Sequence, residues 1–152
     1  MGLTFCLSQT KPALSRTPRE DVRDALANAG IVVAKLDVHN QELFRQVNRT
    51  IVDLMLSDII EGIKLFRREF VGKLRLQIMF IEVNKNFARE IVQTASCLLP
   101  DEVQLNAPLR PYLVKPLTSS QMAYIKCAFS NFICPVVAVY EVPRPEVKPL
   151  NL

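Results

Sequence analysis

Between residues 41 and 83 the apolar positions follow first one period and then another. Phe44, Val47, Ile51, Leu54, Met55, Ile59, Ile63, Phe66 and Phe70 recur at steps of three and four, the spacing that puts side chains on one face of an α-helix. From Leu74 the period is two. Leu74, Leu76, Ile78 and Phe80 alternate with Arg75, Gln77, Met79 and Ile81, which predicts a strand with one strongly apolar face. The change falls at Val71-Gly72, where Gly72 is expected to end the helix in the left-handed conformation. A long helix over 41–70 folded back on a strand over 74–83 is the predicted nucleus of the core.

The flanking segments predict smaller elements. Leu3, Phe5 and Leu7 alternate with Thr4, Cys6 and Ser8 as in a short strand. Thr17, Pro18 and Glu20 form a capping-box start for a helix whose narrow stripe is Val22, Ala25, Leu26 and Ala29, with Gly30 closing it. Residues 31–38 are β-branched and read as a strand, after which Asn40 caps the long helix. Asn84 marks a third helix carrying Phe87, Ile91, Val92, Ala95, Leu98 and Leu99 and stopped by Pro100. Residues 101–117, with Pro108, Pro111 and Pro116, hold only short extended pieces such as 103–106. Thr118, Ser119 and Ser120 offer caps for a shorter helix, and 132–142 reads as a last strand, apolar on both faces, with Pro135 at an edge or bulge.

Strands and helices alternate without an internal repeat, so one sheet covered by helices is expected. The alternation in the central strand favours an α+β fold, a two-layer sandwich of one mixed sheet with amphipathic helices, because one face is then less deeply buried. A three-layer α/β arrangement is the alternative; the absence of glycine from the strand-to-helix turns speaks against it. Residues 1–142 are expected to form a single domain and 143–152 a proline-rich extended tail.

Composition narrows the chemistry. Four glycines against ten prolines argue against a glycine-loop nucleotide site. A net charge of +4 and a pI near 9.0 permit an acidic partner without demanding one. Cys6, Cys97, Cys127 and Cys134 share no paired spacing, so reduced buried thiols are expected and no metal or cofactor is assigned. With no leader-like pattern at the start, an intracellular setting, cytoplasmic or nuclear, is expected.

No motif specifies a reaction. The one histidine, His39, stands two residues from Asp37, but helix capping accounts for that site as well as a catalytic pair would. The concentrated charge is basic: Lys64, Arg67, Arg68, Lys73 and Arg75 bracket the helix-to-strand junction. Opposition to the helix dipole explains it, and an anion or nucleic-acid patch is the functional reading, with Phe66 and Phe70 expected in the core rather than stacked on bases. Leu56, Ile60 and Leu65 fall away from the centre of the apolar stripe, the pattern of a helix that also meets a second subunit. Met1-Gly2 with Cys6 resembles an acylation signal, and membrane association is expected only if Gly2 and Cys6 are acylated. Pro108 and Pro111 have the spacing of a polyproline ligand without its basic flank. The sequence alone therefore favours a non-enzymatic regulatory or accessory protein that binds protein partners as a homo-oligomer. Nucleic-acid binding through the basic patch and peripheral membrane attachment are the alternatives.

Overall fold

The structure is a computed structural model, and it describes residues 3–4, 29–48, 55–108 and 115–141. Five strands form one sheet: β1 (Leu3–Thr4), β2 (Ile31–Lys35), β3 (Lys73–Met79), β4 (Glu102–Asn106) and β5 (Val136–Ala138). Their spatial order is β1-β2-β3-β4-β5, and every neighbouring pair is parallel. Among the described residues, four helices lie between strands: α1 (Gln41–Asn48) and α2 (Leu56–Glu69) before β3, α3 (Ala88–Ser96) before β4, and α4 (Ser119–Ala128) before β5. The fold is therefore α/β. The expected mixed sheet is corrected, since parallel neighbours need a crossover and the helices supply it.

The alternation of β3 survives, with a different meaning. Leu74, Leu76 and Ile78 are fully buried, and so are Val32, Ala34, Val103 and Leu105 beside them. They share one core with Phe44 of α1, Ile63 and Phe66 of α2, Ile91 and Ala95 of α3, and Met122 and Ile125 of α4. Removing each large aliphatic side chain from water contributes about 1.5–3 kcal/mol. The opposite face of the same strands is only half-buried.

The predicted long helix is two helices. Residue 55 is extended (φ −90°, ψ 134°), so α2 starts afresh at Leu56, whose amide donates to Gln41 Oε1 at 2.7 Å and ties the starts of α1 and α2 together. Asn40 does cap α1, accepting from the Leu43 amide at 2.8 Å. Gly72 is not left-handed. It is required by close approach instead: a Cβ there would lie 2.5 Å from the Phe70 ring and 2.8 and 2.9 Å from the carbonyl oxygens of Gly30 and Ala29.

Two more expectations change and one is narrowed. The extended piece at 102–106, placed in the least regular region, is an interior strand paired on both sides. The last strand stops at Ala138 and gives way to a turn of 3-10 helix at Val139–Glu141. Thr118 is the cap chosen among the three hydroxyls before α4, in a reciprocal box with Gln121. The strand expected over 3–8 is described only at Leu3–Thr4; the helix over 17–29 (Ala29 apart), Gly2, Cys6, Pro111 and the 143–152 tail lie outside the described residues.

Candidate ligand-binding face

Register decides what the open face carries. One rung aligns Val33, Arg75 and Glu102; the next aligns Lys35, Gln77, Gln104 and Val137; a third aligns Met79 with Asn106. Because side chains alternate between faces, all of these project opposite to the core. A parallel sheet is ordinarily apolar on both faces. Here three adjacent strands carry charged and carboxamide groups on one of them.

The charged groups are arranged in pairs. Lys35 Nζ lies 3.1 Å from Asp37 Oδ2, and Arg75 Nε lies 3.2 Å from Glu102 Oε1, an ion contact without hydrogen-bond alignment. Gln104 donates from Nε2 to the same Glu102 oxygen at 2.9 Å. The carboxamides of Gln77 and Asn106 make no hydrogen bond with any described residue. Half-buried amides in that state leave donors and acceptors for a ligand or for water.

At the carboxyl ends of β2 and β3 the backbone is locked in place. Asp37, only 5% exposed, accepts the Met79 amide at 2.7 Å. Burial pushes its carboxyl above the usual range, and the Lys35 charge and the Met79 N–H partly offset this. Asn84, fully buried, donates to the carbonyls of Asp37 and Met79 at 2.8 and 2.9 Å and accepts the Ile81 amide at 2.7 Å. It is thus a stitch between strand ends, where a helix cap was expected. His39 sits against Phe87, ring centroids 4.9 Å apart, with Nε2 2.9 Å from Asn40 Nδ2 and Nδ1 buried without a partner. Asp37 spends its carboxylate on Lys35 and Met79, so the His39–Asp37 pair considered from spacing does not form.

The basic cluster is divided by the fold. Lys64, Arg67 and Arg68 border an open cleft of about 670 Å³ at the amino-terminal ends of the strands, together with Phe70, Val71 and Leu99. Lys73 and Arg75 belong to the open sheet face. Arg67 is a tie: it donates to the carbonyls of Leu99 at 3.0 Å and Gly72 at 3.4 Å and to Asp101 Oδ1 at 2.9 Å, while Asp101 Oδ2 accepts the Leu74 amide at 2.8 Å. Phe66 and Phe70 stack on each other at 4.6 Å and are buried, as expected. Of the helix positions expected to meet a second subunit, Leu56 is a core residue, Ile60 packs against the core and Leu65 is half-buried.

No protein-family model matches the chain. Two curated relatives do. The chain is 32% identical over 121 residues to a UPF0026 protein of Methanocaldococcus jannaschii, covering 76% of this chain and 38% of the relative. It is 35% identical over 97 residues to a UPF0026 protein of Synechocystis, covering 63% of this chain and 36% of the relative. The chain thus spans little more than a third of the length of the curated relatives it matches. Among solved structures, a radical SAM methyltransferase from Sphaerobacter thermophilus superposes with a TM-score of 0.61 at 16% identity, over 78% of this chain and 37% of that one. That likeness concerns the fold. With the two relatives, it corrects the expectation of a non-enzymatic regulator, because a sheet of this kind is one on which an enzyme is also built. No described helix is long and apolar enough to cross a membrane.

Gln77, Gln104, Asn106 and Lys35 were not singled out from the sequence. The signal was present: polar residues at every second position of EVQLN and at Lys73, Arg75 and Gln77 of KLRLQIM, with Lys35 at the end of IVVAK. It becomes meaningful only when the three segments are known to be neighbours in register.

Proposed function

We propose that this chain forms the ligand-binding wall of an enzyme built on a rolled parallel sheet, with the open face of β2, β3 and β4 turned toward a small polar molecule. Five parallel strands in sequential order imply that each crossover advances in one direction. With right-handed connections, all helices then fall on one side, as in a barrel and unlike a doubly wound sheet, where the order reverses. The other side is left free to face a substrate. The observation that carries the reading is the row of half-buried polar side chains over three hydrogen-bonded rungs, opposite a fully buried apolar face. In barrel folds ligands meet the carboxyl ends of the strands, and here Asp37, Met79, Asn84 and Asn106 lie there.

The Sphaerobacter protein's name supplies the first ligand to test, S-adenosylmethionine. Radical chemistry with that cofactor calls for an iron–sulfur cluster held by cysteine thiolates. The residues described do not fit one. Cys97 ends α3, Cys127 lies in α4 and Cys134 precedes β5, and no group of three or more metal-ligating side chains is found among the described residues. Cys134 is also held above its ordinary thiol range by burial and by the Asp101 and Glu102 charges, opposite to what a thiolate ligand needs. The polar residues of the open face include no thiolate ligand. Their own contribution is to bind and orient.

Titration of the isotopically labelled 152-residue chain with S-adenosylmethionine tests the reading by amide shift mapping. Saturable shifts concentrated in β2, β3 and β4 are expected. Absence of binding, or shifts confined to the outward surfaces of α2 to α4, would overturn it.

A further inference from the structure

We infer that the open face selects a neutral, planar heteroaromatic ring with a nucleobase-like edge, read by the carboxamides of Gln77, Gln104 and Asn106. The inference rests on the proposed ligand-binding role of that face and specifies what it takes.

Charge is the first argument. The face carries three cations, Lys35, Lys73 and Arg75, and two anions, Asp37 and Glu102; Lys35 and Arg75 each already have a carboxylate at 3.1 or 3.2 Å, and Lys73 is exposed at the start of β3, four residues before Gln77. A phosphate or carboxylate ligand would have to compete with a carboxylate fixed in place. An ammonium ligand would meet the reverse problem. What is left over around the carboxamides, away from Lys73, is neutral: both polar ends of Gln77 and Asn106, and the carbonyl oxygen of Gln104.

Geometry is the second argument. Gln77 pairs with Gln104 and Met79 with Asn106, so these four side chains form a two-by-two grid. Neighbouring strands lie about 4.8 Å apart, and residues two apart along a strand are separated by about 6.7 Å. A grid of that size matches a one- or two-ring heterocycle. Each carboxamide offers a donor and an acceptor, the alternation found along nucleobase edges. Met79 fills the fourth corner with a polarizable thioether, which makes favourable contacts with aromatic rings. A sugar would satisfy the amides but would leave Met79, Val33 and Val137 of the same face against hydroxyls.

Calorimetric titrations with adenosine, guanosine, cytidine and uridine, alongside glutamate and inorganic phosphate, test this on the full chain. At least one nucleoside is expected to bind more tightly than either anion. Gln77→Leu and Asn106→Leu should each weaken that binding about five-fold, the effect of one neutral hydrogen bond. Side-chain amide resonances of Gln77, Gln104 and Asn106 in the unmodified protein should move on binding, a readout that does not depend on a variant folding. Preference for glutamate or phosphate, or nucleoside binding untouched by both substitutions, would overturn the inference. So would binding of S-adenosylmethionine with no nucleoside bound, and in that case the ligand-binding reading itself stands. Two sources could supply the ring. Competition between the nucleoside and S-adenosylmethionine assigns it to the cofactor, and simultaneous binding assigns it to a separate substrate.

Discussion

The two faces of the sheet are built from the same three strands and differ in what they ask of a residue. On the core face Val32, Ala34, Leu74, Leu76, Ile78, Val103 and Leu105 are removed from water, and their contribution is stability. On the open face Lys35, Arg75, Gln77, Met79, Glu102, Gln104 and Asn106 are half-buried, and their polar atoms are only partly answered by the protein. Polar groups in partial burial contribute little to folding unless they are paired. Their presence in register on three strands is explained better by a ligand than by stability.

The sharpest way to break this comparison is to alter neighbours one residue apart. Leu76→Ala, at a fully buried site, should cost about 2–5 kcal/mol by lost transfer energy and the cavity left behind. Gln77→Leu, next along β3 on the other face, should stay within about 0.5 kcal/mol of the parent. Denaturant unfolding of both measures the contrast, and equal losses would mean that the open face is a second core.

Asn84 sharpens it from another direction, as a polar residue that does serve stability. Asn84→Ala leaves the Ile81 amide and the Asp37 and Met79 carbonyls short of a partner. A loss of about 2–3 kcal/mol is expected, and a loss below about 0.5 kcal/mol would show that the stitch is dispensable. Gly72→Ala should follow at about 1–3 kcal/mol, because two of the atoms a Cβ would meet are backbone oxygens that cannot swing aside. Gly30→Ala, where a Cβ meets nothing within 4 Å, is the control for that measurement.

Much of this was legible in the residues. The period-2 pattern located β3, Asn40 and the Thr118 group marked helix starts, and Phe66 and Phe70 were correctly assigned to the core. What the pattern could not convey was which strands are neighbours. Alternation in KLRLQIM is equally compatible with an antiparallel sheet wet on one side and with a parallel sheet bearing a polar site, and only the parallel register with EVQLN and IVVAK separates them. The basic cluster is divided for the same reason. Arg68 and Lys73 are close in sequence, yet the turn at Gly72 sends one to a helix end and the other to a sheet face. A continuous apolar stripe likewise hid the break at Met55, because the spacing of apolar residues is preserved through it.

Asp37 tests the boundary between the two faces, since it belongs to both: buried like a core residue and charged like the open surface. Its carboxyl titrates above the ordinary 3.8 because burial disfavours the charge. Between 3.8 and that raised value the folded protein holds a proton that the unfolded chain has released, so stability falls as pH rises through the window. Above the window the full cost of the buried charge is present; below 3.8 it is absent. Asp37→Asn removes the titration and keeps an oxygen for the Met79 amide, so its effect at neutral pH should be smaller than that of Asn84→Ala. The stability of wild type minus variant, followed from neutral pH down to about pH 4, should shift in favour of wild type as Asp37 takes up its proton. Other carboxylates titrate in both proteins and cancel in the difference. A flat difference, or one that moves against wild type on acidification, would mean that Lys35 and the Met79 amide stabilise the charged form at least as much as burial penalises it, and Asp37 would then belong with the paired charges of the open face.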